Sequence, residues 1–466
     1  MKRLFAIILS AALLAGALAG CNSAAGTSSS ASTSVSTSTS ASASSAKPVS
    51  ISLWVFPQYE GYGDMLKAKY AAAVTAKYPN VTLNTELLSW DAGPEKLTVA
   101  MATTATPDFM QDGLSRLAPG IAGNLCVDAT DLMGKVKSII LADYQKEGVK
   151  DGKNYYLATD TNDCYSIAVN VTLAKELGVY SLLPADKLHW SYAQFLDFCR
   201  KATAAGKAKS VYATQLWAGS RSSDAAYYSI LMTGGTKILN ADHTKVAANS
   251  ATAEATLAML KTLIDEKLVP DGAATIKDEA VYQNWESGKT VLYMTGGGAQ
   301  TPVTIYNKTK AGDIKGFECD TVQYPTPDGK ADPYVASWGT VGFVIFKNAN
   351  DAAKIQATKD AIEVWFNTPS INGDLCLQSG LVPTANNIKL DYGDAVLNAQ
   401  VKLSSENNAK YSTSDFGILE SWWSSFRETF YIQLQGFYTG TKTAKQMLAD
   451  WETTGNAVIV KAAASK

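Results

Sequence analysis

Hydrophobic and polar positions along the chain follow two periods that alternate with each other. Val49 to Phe56 is a continuous β-rich run, the pattern of a strand covered on both faces. After the loop Pro57-Gln58-Tyr59-Glu60-Gly61, the residues Met65, Leu66, Ala73, Val74 and Tyr78 recur at helical spacing, and Tyr78-Pro79-Asn80 stops that helix. Val81, Leu83, Thr85 and Leu87 alternate with polar neighbours, which predicts a second strand. Pro94-Glu95 opens a helix with Leu97, Ala100 and Met101 on one face. Thr106-Pro107-Asp108 then leads into a short third strand, Phe109-Met110, that ends at Gln111-Asp112-Gly113. Strands and helices in this alternation predict a βαβαβ unit and a doubly wound sheet.

The pattern continues past residue 150. Strand-like pieces at 153–157 and 166–170 flank a polar run, Thr159-Asp160-Thr161-Asn162-Asp163, which reads as a loop. Helical spacing recurs over 172–177, over 192–205 with Ser191 as N-cap, and over 252–266. A strand at 290–295 is broken by Gly296-Gly297-Gly298, a turn where the backbone can close on something. Another strand is predicted at 341–346, a helix at 352–366, and two last helices at 422–438 and 443–460.

The N-terminus has a different grammar. Lys2 and Arg3 precede an apolar run from Leu4 to Ala19, and Leu18-Ala19-Gly20-Cys21 closes it. This reads as a signal peptide over 1–20, since a membrane span needs about 20 apolar residues. The small residues followed by Cys21 resemble a bacterial lipobox, and that resemblance implies cleavage before Cys21 and a lipid on its sulfur. Residues 22–46 are almost wholly Ser, Thr and Ala, too poor in apolar surface to fold. They read as a flexible spacer with an end-to-end distance of roughly 25–30 Å.

Composition sharpens the class. The chain has 466 residues, 46% hydrophobic and 18% charged, which is globular composition. The part beyond the leader and spacer suits two lobes rather than one small core. A formal net charge of −2, without a basic stripe, argues against a nucleic-acid partner. Ten Trp, 22 Tyr and 13 Phe leave enough rings to line a cleft for a flat, partly apolar ligand. Besides Cys21 there are five cysteines, Cys126, Cys164, Cys199, Cys319 and Cys376, with no C-x-x-C and only His189 and His243 to join them. Neither a metal site nor a cofactor is expected, and buried free thiols are the default, with one or two disulfides open.

Candidate chemistry narrows quickly. Gly288-Lys289-Thr290 is no phosphate loop, because Gln283 stands where a glycine is needed and a strand follows it. Asp160 and Asp163 could be a glycosidase pair or acceptors for sugar hydroxyls. In Trp422-Trp423 the two side chains point about 100° apart, so one ring can pack inward while the other faces a cleft. With two histidines there is little to build a nucleophilic triad from.

The order of segments is similar to one family. Ile51-Ser52-Leu53-Trp54-Val55, Thr106-Pro107-Asp108-Phe109, Ser166-Ile167-Ala168-Val169-Asn170, His189-Trp190-Ser191-Tyr192, Trp285-Glu286-Ser287-Gly288-Lys289, Gly380-Leu381-Val382-Pro383-Thr384 and Gly440-Thr441-Lys442-Thr443 follow one another behind the lipobox. Together they resemble the extracellular solute-binding proteins of ATP-binding-cassette importers, in the carbohydrate-binding branch that includes maltose-binding protein. The resemblance implies an α/β fold of two lobes, each a doubly wound sheet flanked by helices, joined by a hinge with the ligand between them. It places residues 21–48 as anchor and linker, 49–158 and 322–378 in the first lobe, and 159–321 and 379–466 in the second.

Carried over by matching motifs, the resemblance implies cleft residues Gln58, Tyr59, Asp112, Ser115 and Arg116 from the first lobe and Asp160, Asn162 and Asp163 from the hinge. The second lobe would offer Trp217, the turn with Gly297 and Gly298, and Trp422 or Trp423, with Trp338 reaching in from the hinge. Near Gly298 the family often has an aromatic; here Ala299 follows the glycines, which makes room for a bulkier ligand. The implied protein is a monomer on the outer face of the membrane. It captures a mono- or oligosaccharide and hands it to the permease subunits of an importer, without catalysis. The alternatives are a binder of peptide, polyamine or metal, an exported glycan-active enzyme, and a surface adhesin.

Overall fold

Strand β1 (Val49–Val55) runs parallel to β2 (Val81–Leu87) on one side and to β3 (Phe109–Gly113) on the other. The computed structural model describes residues 47–90, 92–161, 166–348 and 351–464. The leader, Cys21, the spacer expected at 22–46, Asn162 and Asp163 lie outside the described residues. Three further strands complete the first sheet: β4 (Leu157–Thr161), β8 (Thr340–Ile345) and β9 (Val382–Pro383). Its order is β9-β4-β8-β3-β1-β2, with β8 antiparallel to both β3 and β4, and β9 antiparallel to β4. A second sheet holds β5 (Ile167–Asn170) between β6 (Leu292–Tyr293) and β7 (Cys319–Val322), antiparallel to both.

The two-residue period of the first sheet builds two cores, one on each face. Leu53, Val55, Phe109, Leu157, Phe343 and Ile345 point to one side and meet Tyr70 and Trp365 from flanking helices. Met110, Tyr156, Ala158, Val344 and Phe346 point to the other, against Leu117 and Ile121. A separate, larger core gathers Ile167–Val169, Phe195, Tyr228, Leu260, Trp285, Phe430 and Trp451 around the second sheet. Residues 322–338, expected in the first lobe, supply Val322, Tyr324, Val335, Ala336 and Trp338 to this second core. The change of core therefore falls at Gly339–Thr340, because 322 is still paired in the second sheet through β7.

Local signals place the helices. Ser191 caps the helix Tyr192–Gly206 in a capping box with Gln194, and Thr443 does the same with Gln446 for Ala444–Ala463. Asp351 accepts from two backbone amides at the start of Ala352–Asn367. Periodicity alone missed Ser223–Thr233, all of whose residues are buried, because a helix buried all round shows no apolar stripe against a polar face. The polar run 159–163 is the clearest correction. Its first three residues are buried β4, not loop, because β8 and β9 pair with them from both sides. Among the described residues no helix is long and apolar enough to cross a membrane.

Candidate functional site

The three parallel strands end on one edge of the first sheet, and the chain that leaves them builds a wall. In open α/β sheets ligands bind beyond such carboxyl ends. From β1 come Phe56, Gln58 and Tyr59; from β2, Trp90; from β3, Asp112, Ser115 and Arg116. Arg116 donates through Nε to Asp112 Oδ2 at 2.6 Å, and its Nη2 donates to Asp112 Oδ1. This fork is a helix-like i,i+4 pair whose carboxylate is only 1% exposed. The guanidinium lies 5.1 Å from the centre of the Phe56 ring and 5.4 Å from that of Trp90. Phe56 and Trp90 stack at 4.6 Å and 23°, and Trp90 donates Nε1–H to Pro57 O at 3.1 Å. A Cβ on Gly93 would come within 2.5 Å of Phe56, so only glycine lets the helix after β2 close on this stack.

Trp90 is 50% exposed, the most exposed tryptophan of the wall, with its indole held by Phe56 and Pro57. Sequence reasoning passed over it. The signal was available: a tryptophan three residues past an alternating strand, where a parallel sheet presents its carboxyl edge. Tyr59 stands beside Tyr62 at 5.6 Å, and burial together with the Asp374 carboxylate pushes its phenol up to about 12. Gln58 turns back to donate to Phe56 O at 3.3 Å, and Ser115 is buried.

Trp338, Trp422 and Trp423 also come together, on the second core. Trp338 lies 5.7 Å from Trp423 and 5.9 Å from Phe416. Arg427 sits 4.5 Å over the Trp338 ring and grips buried Asp224 with two bonds of 2.5 and 2.8 Å. Burial outweighs that pull, so the Asp224 carboxyl titrates above its ordinary range. Arg221 pairs with Glu428 at 3.0 Å, and burial plus the Arg427 charge lower its pKa. The expected division of Trp422-Trp423 between core and cleft is not seen: they are 6% and 2% exposed. Trp423 stacks on Phe426 and edges Tyr228, while Trp422 closes on Phe426 and on Gly417, whose φ is 90°.

Trp217 stands apart from these rings as a fully buried core residue between Tyr227 and Tyr293, at 5.4 and 6.5 Å. The glycine turn wraps the start of β5. Gly296 donates to Ser166 O at 2.6 Å and Gly298 to Ser166 Oγ at 3.2 Å. A Cβ on Gly296 would lie 2.4 Å from the backbone nitrogen of Ala168, so that glycine serves close approach of backbone to backbone. Asp160 is completely buried on β4.

The arrangement has a common chemistry. Arg116 with Asp112, Arg427 with Asp224 and Arg221 with Glu428 are three one-to-one pairs, two of them forked. Fixed donors and acceptors beside aromatic faces suit an uncharged polyol, whose hydroxyls need both and whose C–H faces stack. No group of three His, Cys, Asp or Glu among the described residues could hold a metal. Cys126, Cys199, Cys319 and Cys376 are buried free thiols, and burial lifts Cys126 to about 12.

Comparison with known proteins adds the lineage. Residues 62–367 match the family of bacterial extracellular solute-binding proteins. A Brucella abortus (strain 2308) protein assigned as a binding protein is 26% identical over 228 residues, 48% of this chain. That match spans about half, 52%, of the relative's length. Among solved structures, a chitin oligosaccharide binding protein superposes with a TM-score of 0.71 at 16% identity, covering 89% of this chain and 99% of its own. The GacH receptor of Streptomyces glaucescens, studied unliganded and with acarbose, gives 0.69 at 14%, covering 88% and 99%. An ABC substrate-binding protein of Listeria monocytogenes in complex with cycloalternan gives 0.69 at 16%, covering 88% and 99%. At these identities the likeness carries the fold, an α/β architecture shared over nearly the whole described chain.

Proposed function

Because the chain belongs to the bacterial extracellular solute-binding proteins, we propose that it captures a sugar or oligosaccharide between its two lobes and delivers it to an ATP-binding-cassette importer. The observation that carries this reading is the Phe56–Trp90 stack, with the Arg116–Asp112 fork beside it at the carboxyl edge of the parallel strands. Trp90 offers an apolar face to a pyranose ring, and the fork, Gln58, Tyr59 and Ser115 take its hydroxyls. On the second lobe Arg221 and Arg427, backed by the buried Trp338, Trp422 and Trp423, form the opposing wall. Asn162 and Asp163 border the ligand from the hinge side, with buried Asp160 behind them, and Gly297-Gly298 and Trp217 shape the second lobe behind it. The neutral pairing of each guanidinium disfavours a polyamine, which needs unpaired carboxylates. Binding then acts as a population shift, since ligand that touches both walls favours the closed arrangement. The chain binds its solute without converting it. Lipid on Cys21 holds it at the outer face of the cell membrane as a monomer, with the spacer giving it reach.

The deciding experiment is a thermal-shift screen of the protein lacking residues 1–46 against maltooligosaccharides, chitooligosaccharides, monosaccharides and spermidine. A ligand at 100-fold over its Kd adds about 2.7 kcal/mol and raises Tm measurably. A shift with an oligosaccharide and none with spermidine is the expected result. A shift with spermidine alone, or release of shortened glycan during incubation, would overturn the reading.

A further inference from the structure

Two crossings between the two cores, after β4 and before β8, meet beside one side chain, and β9 lies against it. Strand β4 leaves the first sheet at Thr161, β8 enters it at Thr340, and β9 leaves it at Pro383. Asp160 is the residue they flank: it is paired with Val341 on one side and with Pro383 on the other. The β8 register also slips there, between Val341 and Gly342. The Asp160 side chain is 0% exposed, and its Oδ1 has no hydrogen-bond partner.

The groups facing it are Tyr62 from the helix that follows β1, Tyr156 just before β4 and Cys376 from the helix Pro369–Ser379. Each of these is neutral, so among the described residues no cation compensates a carboxylate there. The other acid of the crossing, Glu147, takes the hydroxyl of Thr340 and is likewise raised by burial.

The hydrogen bonds around Thr159 limit what could stabilise a charge on Asp160. Thr159 Oγ1 lies 3.0 Å from Gln111 Nε2, 3.0 Å from Val341 O and 2.7 Å from Asp160 Oδ2. A hydroxyl has one proton to give and two lone pairs to receive. Gln111 Nε2–H donates to it, so its single proton is shared between two acceptors, Val341 O and Asp160 Oδ2. Asp160 therefore has one shared donor at Oδ2 and none at Oδ1, too little to hold a buried carboxylate in its charged form. Gln111 is oriented in turn by Tyr62, whose hydroxyl donates to Gln111 Oε1 at 2.5 Å.

We infer that Asp160 is a proton-binding site of the crossing region: a neutral carboxylic acid in the conformation described, whose loss of the proton loosens the junction of β4, β8 and β9. A charge there has no cationic partner among the described residues, so ionisation favours arrangements that let water reach the strand ends. Burial lifts the carboxyl to about 7, only partly offset by Thr159, which puts the change within the range a secreted protein meets. The inference needs no solute, and its failure would leave the sugar reading untouched.

The test uses the full-length protein without ligand, from about pH 5.5 to about pH 8.5, the range across which such a group would titrate. Infrared difference spectra should show a carboxylic-acid C=O band lost with a midpoint near pH 7, absent from Asp160→Asn and retained in Glu147→Gln. Amide exchange of 157–161 and 340–345, corrected for intrinsic rate, should quicken through the same midpoint in the native protein and stay flat in Asp160→Asn. Thr159→Val, which removes the one neighbour that lowers the pKa, should move the midpoint upward even if Asp160→Asn folds poorly. A native protein with no titrating band, a band that survives Asp160→Asn, or a midpoint unmoved by Thr159→Val would overturn the inference.

Discussion

Replacing Trp90 by Ala tests the wall of the site at its most exposed point. An aromatic side chain can bury about 150–250 Å². Trp90 is 50% exposed, so about 100 Å² remains for a ligand to cover. At about 25 cal/mol per Å² that area stabilises the complex by about 2.5 kcal/mol, or about 60-fold in Kd. The covered half has a separate role. It stacks on Phe56 at 4.6 Å, and Nε1–H reaches Pro57 O, so Trp90→Ala also costs the free protein about 2 kcal/mol of stability. Trp90→Phe separates the two effects, because it keeps a ring on Phe56 but loses the bond to Pro57. Calorimetric titration of the oligosaccharide giving the largest thermal shift should show about 60-fold weaker binding for Trp90→Ala. Trp90→Phe should lose only a few-fold, and Val460→Ala, exposed on the last helix, should lose nothing. The measurement belongs well below the Tm of every variant, so that lost stability does not enter as lost affinity. A Trp90→Ala protein that binds within about threefold of the native one would refute the placement of the ligand on this face.

Three other outcomes follow from the same geometry. Asp224→Ala leaves the Arg427 guanidinium buried without its forked partner and should cost about 3–5 kcal/mol in chemical denaturation, far more than Lys201→Ala at an exposed pair. Stability should fall as pH rises from about 4 to about 7: Asp160 in the folded chain holds its proton up to about 7, whereas the unfolded chain releases it near 3.8, so over that window rising pH favours the unfolded state. The loss, at most about 4 kcal/mol, should be largely absent in Asp160→Asn, with a smaller share of the same sign from Asp278, which is raised to about 6. Cys21→Ser should release the protein into the culture medium, and a variant that stays with the membrane fraction would count against the lipid anchor.

Much of the fold was legible because its signals are local. The alternation at 81–87, the helical spacing before Tyr78, the capping boxes at Ser191 and Thr443 and the glycine break at 296 each act within a few residues, and the structure has an element or a turn at every one. The first-lobe candidates Gln58, Tyr59, Asp112 and Arg116 came from the resemblance rather than from periodicity, and the structure puts them at or just past the carboxyl ends of β1 and β3.

What the linear order could not supply was the environment of a side chain. Thr159 and Asp160 look like loop residues because they are polar. They are buried strand because Gln111, Val341, Asn372 and Pro383, as far as 223 positions away, satisfy or pair with them. Trp90 and Trp423 are indistinguishable as letters. One is half exposed on a strand edge, the other is enclosed by Tyr228, Trp338, Phe416 and Phe426. By itself the sequence determined an alternating α/β chain, since periodicity and caps act over short range, and its order of segments showed the resemblance to the extracellular solute-binding proteins. Which tryptophan meets solvent, which core takes residues 322–338 and whether Asp160 keeps its proton were decided only by tertiary structure. Burial and dielectric are properties of neighbours brought together by the fold, and those neighbours are distant in the chain.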